Sequence, residues 1–187
     1  MFCFYRLFLS GQRIFGKAQP AMSEKLAPLF ASLTHGIYVV GVAACGRKNA
    51  FTAAWVMQSS FKPPMLALSI NPLHSSFALL KAGGGFTVNV LKSGQRDLAV
   101  HFGTPMVGNK LDSISWREAG RGAPILDAAM AWFECELAGE SPSGDHVLVL
   151  GQVVNGGLLA EQACAMNYRE MADEESAKRL LPGSFRP

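Results

Sequence analysis

The sequence predicts a mainly β domain, an antiparallel barrel with a few short helices. Apolar runs rich in β-branched residues recur between turn signals, among them IYVVGVAA at residues 37–44, MLALSI at 65–70 and HVLVLGQVV at 146–154. Helical spacing is confined to short stretches, so the pattern lacks the long crossover helices that a parallel sheet needs. Closing an antiparallel sheet into a barrel buries this many apolar strands without open edges. A chain of 187 residues can enclose such a core in one domain.

At least six strands and three short helices account for most of residues 24–154. The strands are predicted at residues 37–44, 51–61, 65–70, 86–91, 131–137 and 146–154, and the helices at 24–33, 75–81 and 93–102. Ser93 is the predicted N-cap of the third helix. Glycine and proline mark the turns and breaks between these elements, at residues 46–49, 63–64, 83–85 and 141–144.

Residues 22–160 are predicted to form one domain, because no linker, repeat or low-complexity tract divides them. Within it, residues 103–123 are expected to be irregular. Residues 161–187 are expected to form a C-terminal tail with helical character. Residues 1–21 contain no Asp or Glu and are interpreted as a disordered or mis-assigned extension before a natural start at Met22, or as a transit peptide. Their apolar run is too short to span a membrane.

The charge of the chain excludes one class of partner. The formal net charge of +3 is accounted for by Arg6, Arg13 and Lys17 in the extension, so the body is neutral. A neutral body has no basic patch for nucleic acid. The composition, 49% apolar and 17% charged, favours burial of some surface against a second copy of the chain, although a generous core would explain it equally well.

The cysteines and histidines show no metal-binding pattern. The cysteines are scattered at Cys3, Cys45, Cys135 and Cys164, and the histidines at His35, His74, His101 and His146. Neither set has ligand spacing, so no metal site is expected. The thiols are interpreted as reduced, mostly as core filler, in a cytoplasmic protein.

Residues 71–76 (NPLHSS) are the first candidate binding segment. They lead from a strand into a helix whose first turn carries two hydroxyls and an imidazole. The unpaired N–H groups at a helix start attract anions, and Ser75 and Ser76 can add hydrogen bonds to a phosphate. Ordinary N-capping by Ser75 is the alternative interpretation of the same residues.

Residues 52–60 are the second candidate. Small side chains there let backbone N–H and C=O groups approach a flat ligand, and Trp55 lies among them. The alternative is an ordinary amphipathic strand of the barrel.

Other catalytic signatures are missing from the sequence. The glycines at 83–85 precede a strand, whereas a dinucleotide fingerprint follows one. No nucleophile-elbow, Walker or zinc-protease motif is present. The pair Asp145-His146 suggests acid–base chemistry, or simply a satisfied turn.

A series of motifs in fixed order resembles the flavin reductase-like family, whose fold is the FMN-binding split barrel. The resemblance covers residues 24–159. Its motifs are Thr52 eleven residues before Pro63-Pro64, Asn71 with Ser75-Ser76, FTVNVL at 86–91, GAPIL at 122–126, WFECE at 132–136, Gly144-Asp145-His146 and GQV at 151–153. The stretch TAAWVMQSSF is most similar to the module joined to flavodiiron proteins and to flavoredoxin-type carriers, because many stand-alone reductases carry serines in place of Ala54 and Trp55.

The resemblance implies a flavin site and assigns residues to it. The fold it implies is an antiparallel, Greek-key-like split β-barrel that binds FMN, with FAD as the alternative flavin. A phosphate site is implied at Asn71, His74, Ser75 and Ser76, with Asn89 close by. Contacts to the ring and the ribityl chain are implied for Thr52, Ala53, Ala54, Trp55, Gln58, Ser59 and Ser60.

The resemblance also implies a reaction, hydride transfer from NADH or NADPH to flavin N5. His146 would orient the nicotinamide, and the cofactors themselves carry the chemistry. It further implies a homodimer and an electron-accepting partner such as a monooxygenase, with neither nucleic acid nor membrane involved. An FMN-retaining electron carrier with little NAD(P)H activity, and a barrel without cofactor, are the competing hypotheses.

Overall fold

The computed structural model describes residues 26, 29, 30, 32–105 and 108–171. The chain divides into two units, one of Met1–Leu33 with Leu181–Pro187 and one of Thr34–Leu180. In the first, Leu26, Leu29 and Phe30 are helical, and the Ser32 N–H donates to the Leu29 carbonyl at 3.1 Å. The predicted extension at 1–21 and most of the predicted helix at 24–33 lie outside the described residues.

The second unit contains nine strands and two α-helices among its described residues. The strands are β1 (Tyr38–Ala44), β2 (Arg47–Ala53), β3 (Val56–Phe61), β4 (Pro64–Ile70), β5 (Gly85–Val90), β6 (Trp116–Glu118), β7 (Pro124–Leu126), β8 (Ala131–Ser143) and β9 (His146–Leu158). The helices are α1 (Ser75–Gly83) and α2 (Arg96–Gly103), and a 3-10 turn follows at Tyr168–Met171. Among these residues, no helix combines the length and apolarity that crossing a bilayer requires.

Seven strands form one antiparallel sheet in the order β2-β1-β5-β8-β9-β4-β3, and β6 pairs with β7 beside it. The prediction of a mainly antiparallel β domain with a few short helices is therefore confirmed. The two edge strands, β2 and β3, follow one another in the chain. The sheet thus curls round to an opening that Ala54 and Trp55 bridge, which is the form of a split barrel.

The prediction of one continuous strand at 51–61 is wrong, because two strands, β2 and β3, cover this stretch. The chain changes partner there, since Ala53 pairs with Tyr38 of β1 whereas Val56 pairs with Leu68 of β4. Ala54 and Trp55 form the corner between the two pairings. Only the tertiary arrangement imposes this break, because no turn signal interrupts the extended pattern.

The last hairpin is longer than predicted. Ser143 pairs with His146, so the turn is Gly144-Asp145 rather than residues 141–144. Gly144 has a φ of +65°, a left-handed conformation that glycine adopts without a Cβ clash. This turn places His146 at the first position of β9.

The end of helix α1 agrees with the prediction, whereas the start of helix α2 differs from it. Helix α1 ends as expected at Gly84, which has a φ of +65° and whose N–H donates to the Lys81 carbonyl. Helix α2 begins later than predicted, after Gln95. Ser93 is not its cap, because its Oγ donates to the Glu170 carboxylate at 2.8 Å.

Residues between 160 and 171 pack against the barrel. The Ile37 N–H donates to the Met166 carbonyl at 3.0 Å, and the Met166 N–H to the Leu91 carbonyl at 2.8 Å. Met166 and Met171 are buried in the cluster that includes Ile37 and Leu91. The packed body therefore continues past the predicted boundary at 160 to at least Met171, because those side chains complete the core. The rest of the predicted tail lies outside the described residues.

The cysteines differ from the core-filler interpretation. Among the described residues Cys135 is buried, whereas Cys45 and Cys164 are exposed free thiols. Burial, with a smaller contribution from the neighbouring Glu134 carboxylate, raises the pKa of Cys135 to about 12. Cys135 is thus an inert core residue beside Phe86 and Val149.

Candidate functional site

The chain from β4 into α1 forms a tight, internally bonded turn. The Asn71 Oδ1 accepts from the Leu73 N–H at 2.9 Å, and the Asn71 carbonyl accepts from the His74 N–H at 2.9 Å. His74 is the N-cap of α1, with its Nδ1 accepting from the Ser76 N–H at 3.2 Å. The imidazole of His74 therefore performs the capping role that one interpretation of the sequence gave to Ser75.

The two serines at the start of α1 have different environments. Ser76 is fully buried, and its Oγ accepts from the Asn49 Nδ2 on β2 at 3.0 Å. Ser75 is exposed and lines the cleft described next. The structure thus places Ser75, and not Ser76, where a ligand can reach it.

A branched cleft runs between β2, the start of α1 and the loop after α2. Its main arm has a volume of about 430 Å³ and its side arm about 250 Å³. The arms meet at Asn49, Ser75 and Gly108, which line both. The main arm is also lined by Phe51, Thr52, Leu73, His74, Phe102, Gly103, Pro105 and Lys110, and the side arm by Arg47, Lys48, Leu79 and Asn109.

Two nitrogen groups give the main arm its electrostatic character. The Lys110 Nζ donates to the Phe102 carbonyl at 2.7 Å, and burial lowers the pKa of this lysine. Burial, and then the charge of Lys110, lowers the pKa of His74. The ring of His74 also packs against Phe51, with centroids 4.6 Å apart. An anion in this arm would favour the protonated forms of both groups.

The β2 end supplies a wall of small side chains. The Thr52 Oγ1 donates to the Ala99 carbonyl of α2 at 2.6 Å, which fixes the hydroxyl beside the main arm. Ala53 packs against the cluster around Val40, and Ala54 against the cluster around Ile37. These alanines face the two cores, so they support the wall rather than line the cleft.

Trp55 and His146 form an aromatic pair. Their ring centroids lie 5.0 Å apart with planes at 60°, and Trp55 is 43% exposed. The His146 Nδ1 lies 2.8 Å from the Asp145 Oδ1. That hydrogen bond is the main cause of the lowered pKa of Asp145, so an ionised carboxylate accepts from Nδ1–H. His146 then presents Nε2 away from Asp145.

Some predicted residues are placed elsewhere. Gln58, Ser59 and Ser60 lie on edge strand β3, where the Gln58 Nε2 donates to the Ser60 carbonyl at 3.3 Å. The register shifts between Gln58 and Ser60, leaving Ser59 unpaired with β4. None of the three lines either arm of the cleft.

Asn89 lies in the core and not at the cleft. It is fully buried, and its Nδ2 donates to the Val39 and Pro124 carbonyls at 3.0 and 3.2 Å. Its Oδ1 accepts from the Leu126 N–H at 2.8 Å. Because three backbone groups hydrogen-bond to its amide, Asn89 connects β5 to β1 and β7. We therefore do not retain Asn89 as a ligand contact.

The structure adds site residues that sequence reasoning missed. Lys110 and Phe102 line the main arm, and Arg47 and Lys48 line the side arm. Two adjacent cations at 47–48 in an otherwise neutral body could have predicted the cationic side arm from the sequence. Lys110 lies in a segment expected to be irregular, and no sequence pattern predicts its place in the site.

The chain belongs to the flavin reductase like domain family, whose profile matches residues 30–174. It is 28% identical over 161 residues to diflavin flavoprotein A 1 of Synechocystis sp., covering 84% of this chain and 28% of that protein. It is 33% identical over 94 residues to the reductase subunit HsaB of a flavin-dependent monooxygenase of Mycobacterium tuberculosis, covering 50% of each. The chain thus spans half or less of these two relatives.

A solved structure shares the fold. The NADH:FAD oxidoreductase SgcE6 of Streptomyces globisporus superposes with a TM-score of 0.74 at 25% identity, over 81% of this chain and 91% of that one. The predicted split barrel of the flavin reductase-like family is therefore confirmed.

Proposed function

We propose that this chain is an NAD(P)H-dependent flavin reductase that holds FMN in the main arm of the cleft. The observation that carries the proposal is the position of Ser75. It lies at the start of α1 in the same cleft as His74 and Lys110, so a hydroxyl, an imidazole and a cation line one place. That donor set suits the phosphate of a flavin nucleotide.

The main arm also suits the rest of the molecule. Its volume of about 430 Å³ lies within the range of about 300–1,000 Å³ that is usual for small-molecule sites. Thr52 supplies a hydroxyl oxygen, and the largely buried rings of Phe51 and Phe102 also line this arm. A flat ligand with polar edges and one anionic end matches this lining.

The chemistry would come from the flavin, which accepts a hydride from the nicotinamide when both are bound. The residues of the chain bind and orient. Thr52 lines the main arm, and Trp55, which follows it closely in the chain, contacts His146. With Nδ1 held by Asp145, the imidazole of His146 has a fixed orientation, and Trp55 covers one side of it. We propose that this pair positions the nicotinamide, which is a contribution of proximity rather than of bond-making.

We also propose a homodimer that delivers electrons to a separate acceptor. Exposed apolar side chains on the sheet, Met57 and Phe61 of β3 with Val154 and Leu158 of β9, support burial against a second copy. The name of the HsaB relative supports a monooxygenase as the acceptor. A cytoplasmic location remains part of this proposal.

A second candidate function is an FMN-retaining electron carrier. The similarity to a diflavin flavoprotein over 84% of the chain favours it. The half-exposed indole of Trp55 beside His146 also favours it, because that indole stands where a nicotinamide would be positioned.

One experiment separates these functions. Purified protein loaded with FMN is mixed with NADH or NADPH without oxygen, and the flavin absorbance is followed. Bleaching with steady-state turnover is expected for the reductase, whereas a retained flavin that neither nucleotide bleaches would identify the carrier. A protein that binds no flavin would overturn both.

The phosphate assignment has its own test. Lys110→Met should weaken FMN binding about tenfold, since one charge-assisted contact to phosphate is removed, and should leave riboflavin binding unchanged. Riboflavin lacks the phosphate, so an equal loss for both ligands would contradict the assignment.

A further inference from the structure

His101 lines neither arm of the cleft, yet it contacts a residue that does. The His101 Nε2 lies 2.8 Å from the carbonyl oxygen of Lys110. A carbonyl oxygen only accepts hydrogen bonds, so Nε2 carries the hydrogen and donates it. The ring also meets Phe102 edge-on, with centroids 4.9 Å apart and planes at 90°. His101 therefore has a defined tautomer and a defined place on α2.

Lys110 is attached at two points to the last turn of α2. Its backbone carbonyl accepts from His101, and its Nζ donates to the Phe102 carbonyl at 2.7 Å. The carbonyls of a last helical turn have no partner within the helix, and the helix dipole favours a cation beside them. The two contacts together fix the path of the chain at residue 110 and the direction of its ammonium group.

The peptide group between Lys110 and Leu111 is held on both sides. Its N–H donates to the Asn109 Oδ1 at 3.1 Å, which is a contact within the loop itself. Its carbonyl accepts from His101, which connects the loop to a helix. Burial of Leu111 anchors the chain after this peptide group but does not set the orientation of the group. His101 is thus the backbone contact that orients Lys110 on α2.

The charge of Lys110 acts on the main arm, which this residue lines. Burial is the main cause of the lowered pKa of His74, and the charge of Lys110 adds to it. We infer that His101 is a positioning residue, which places the Lys110 ammonium in the main arm by holding the Lys110 carbonyl. The consequence for flavin binding rests on the proposed function of the main arm, whereas the effect on Lys110 does not.

The test compares three variants with the wild type. His101→Phe keeps an aromatic ring against Phe102 but removes the donor, and His101→Gln restores a donor through the amide N–H. His35→Phe is the matched control, because His35 also meets an aromatic ring edge-on, that of Tyr168, and lines neither arm. Thermal melts check folding. If His101→Phe does not fold, His101→Asn replaces it, because its shorter amide does not reach the carbonyl.

The first measurement needs no ligand. An NMR titration of His74, whose signal is identified by its absence in His74→Asn, reports the charge of Lys110 nearby. In His101→Phe and in Lys110→Met the pKa of His74 should rise towards its ordinary value, because the positive charge has moved away or is missing. In His101→Gln and His35→Phe this pKa should match that of the wild type.

Equilibrium titrations with FMN and riboflavin are the second measurement. His101→Phe should weaken FMN binding about fivefold and riboflavin binding less than about twofold, because only FMN carries the phosphate that Lys110 would contact. The double variant of His101→Phe and Lys110→Met should bind FMN no more weakly than Lys110→Met alone, since a residue that acts through Lys110 has no effect without it. His101→Gln should recover the wild-type affinity.

An unchanged pKa of His74 in His101→Phe would overturn the inference, whatever the flavin affinities are. So would additive losses in the double variant, or an equal loss of FMN and riboflavin binding, because His101 would then support the fold of the cleft as a whole. If Lys110→Met binds FMN as the wild type does, the phosphate assignment of the proposed function fails. The titration of His74 still decides the role of His101 in that case.

Discussion

The indole of Trp55 lies against the imidazole of His146, with ring centroids 5.0 Å apart and planes inclined at 60°. The corner between β2 and β3 supplies one ring, and the first residue of β9 supplies the other. Neither residue lines the cleft in which we place the flavin. Binding of nicotinamide and binding of flavin should therefore respond differently to mutation of this pair.

His146→Ala should raise the KM for NAD(P)H about tenfold, because the imidazole no longer orients the nicotinamide. The flavin dissociation constant should change less than about twofold. Steady-state kinetics and flavin titration measure the two effects. Asp145→Asn is the matched variant, since it keeps an acceptor for Nδ1–H and should have the smaller effect on KM. Equal losses of flavin and nicotinamide binding would indicate a folding role.

The two serines at the start of α1 should separate into a ligand residue and a structural one. Ser75→Ala should weaken FMN binding about fivefold, by loss of one hydrogen bond to an anion, without changing the melting temperature. Ser76→Ala should lower the free energy of unfolding by about 1–2 kcal/mol, because the Asn49 amide loses its acceptor. Titration calorimetry and denaturant unfolding are the measurements. If Ser76→Ala weakened FMN binding and Ser75→Ala lowered stability, the assignment based on the burial of the two serines would be wrong.

Protonation of His74 should destabilise the fold at acid pH. The pKa of His74 is lowered in the folded protein, so the unfolded chain binds the proton more readily. Stability therefore falls as the pH decreases from above the unfolded value of about 6.5 towards the lower folded value. A proton on Nδ1 would also remove the acceptor for the Ser76 N–H.

The matched variant is His74→Asn, which keeps a good N-cap but does not titrate. Histidine titrates between about pH 8 and pH 5. Over this range the melting temperature should decline less in the variant than in the wild type. Parallel curves would show that His74 does not contribute to the acid sensitivity.

Cys135 should resist alkylation in the native protein. Its thiol is buried with a pKa of about 12, so little thiolate exists at neutral pH. Cys45 and Cys164 are exposed and should be modified first. Peptide mapping after iodoacetamide treatment, with and without denaturant, distinguishes the sites. Rapid labelling of Cys135 without denaturant would mean that the core around Phe86 opens readily.

The local patterns in the sequence predicted the elements well. The β-branched run at 37–44 is β1 within one residue, and the glycines after α1 end that helix because Gly84 adopts a positive φ. The motif series predicted the family, and the turn at Asn71 predicted the start of α1. In each case the signal is carried by neighbours in sequence.

The remaining features depend on contacts between distant segments. No turn residue marks the corner at Ala54-Trp55, because the break arises where β2 and β3 pair with different strands. Lys110 reaches the cleft because its segment returns to the end of α2, where the Phe102 carbonyl accepts from its Nζ. Asn89 resembles a ligand residue in its motif, yet three backbone partners in the core engage its amide.

The outer edges of β2 and β3 carry one more consequence. Unpaired strand edges are templates for association with other chains, and β3 also exposes Met57 and Phe61. The β2 edge borders the cleft, so a bound flavin would shield part of this surface. We expect the flavin-free protein to aggregate more readily during storage than the loaded one, which makes light scattering a simple indicator of cofactor loss.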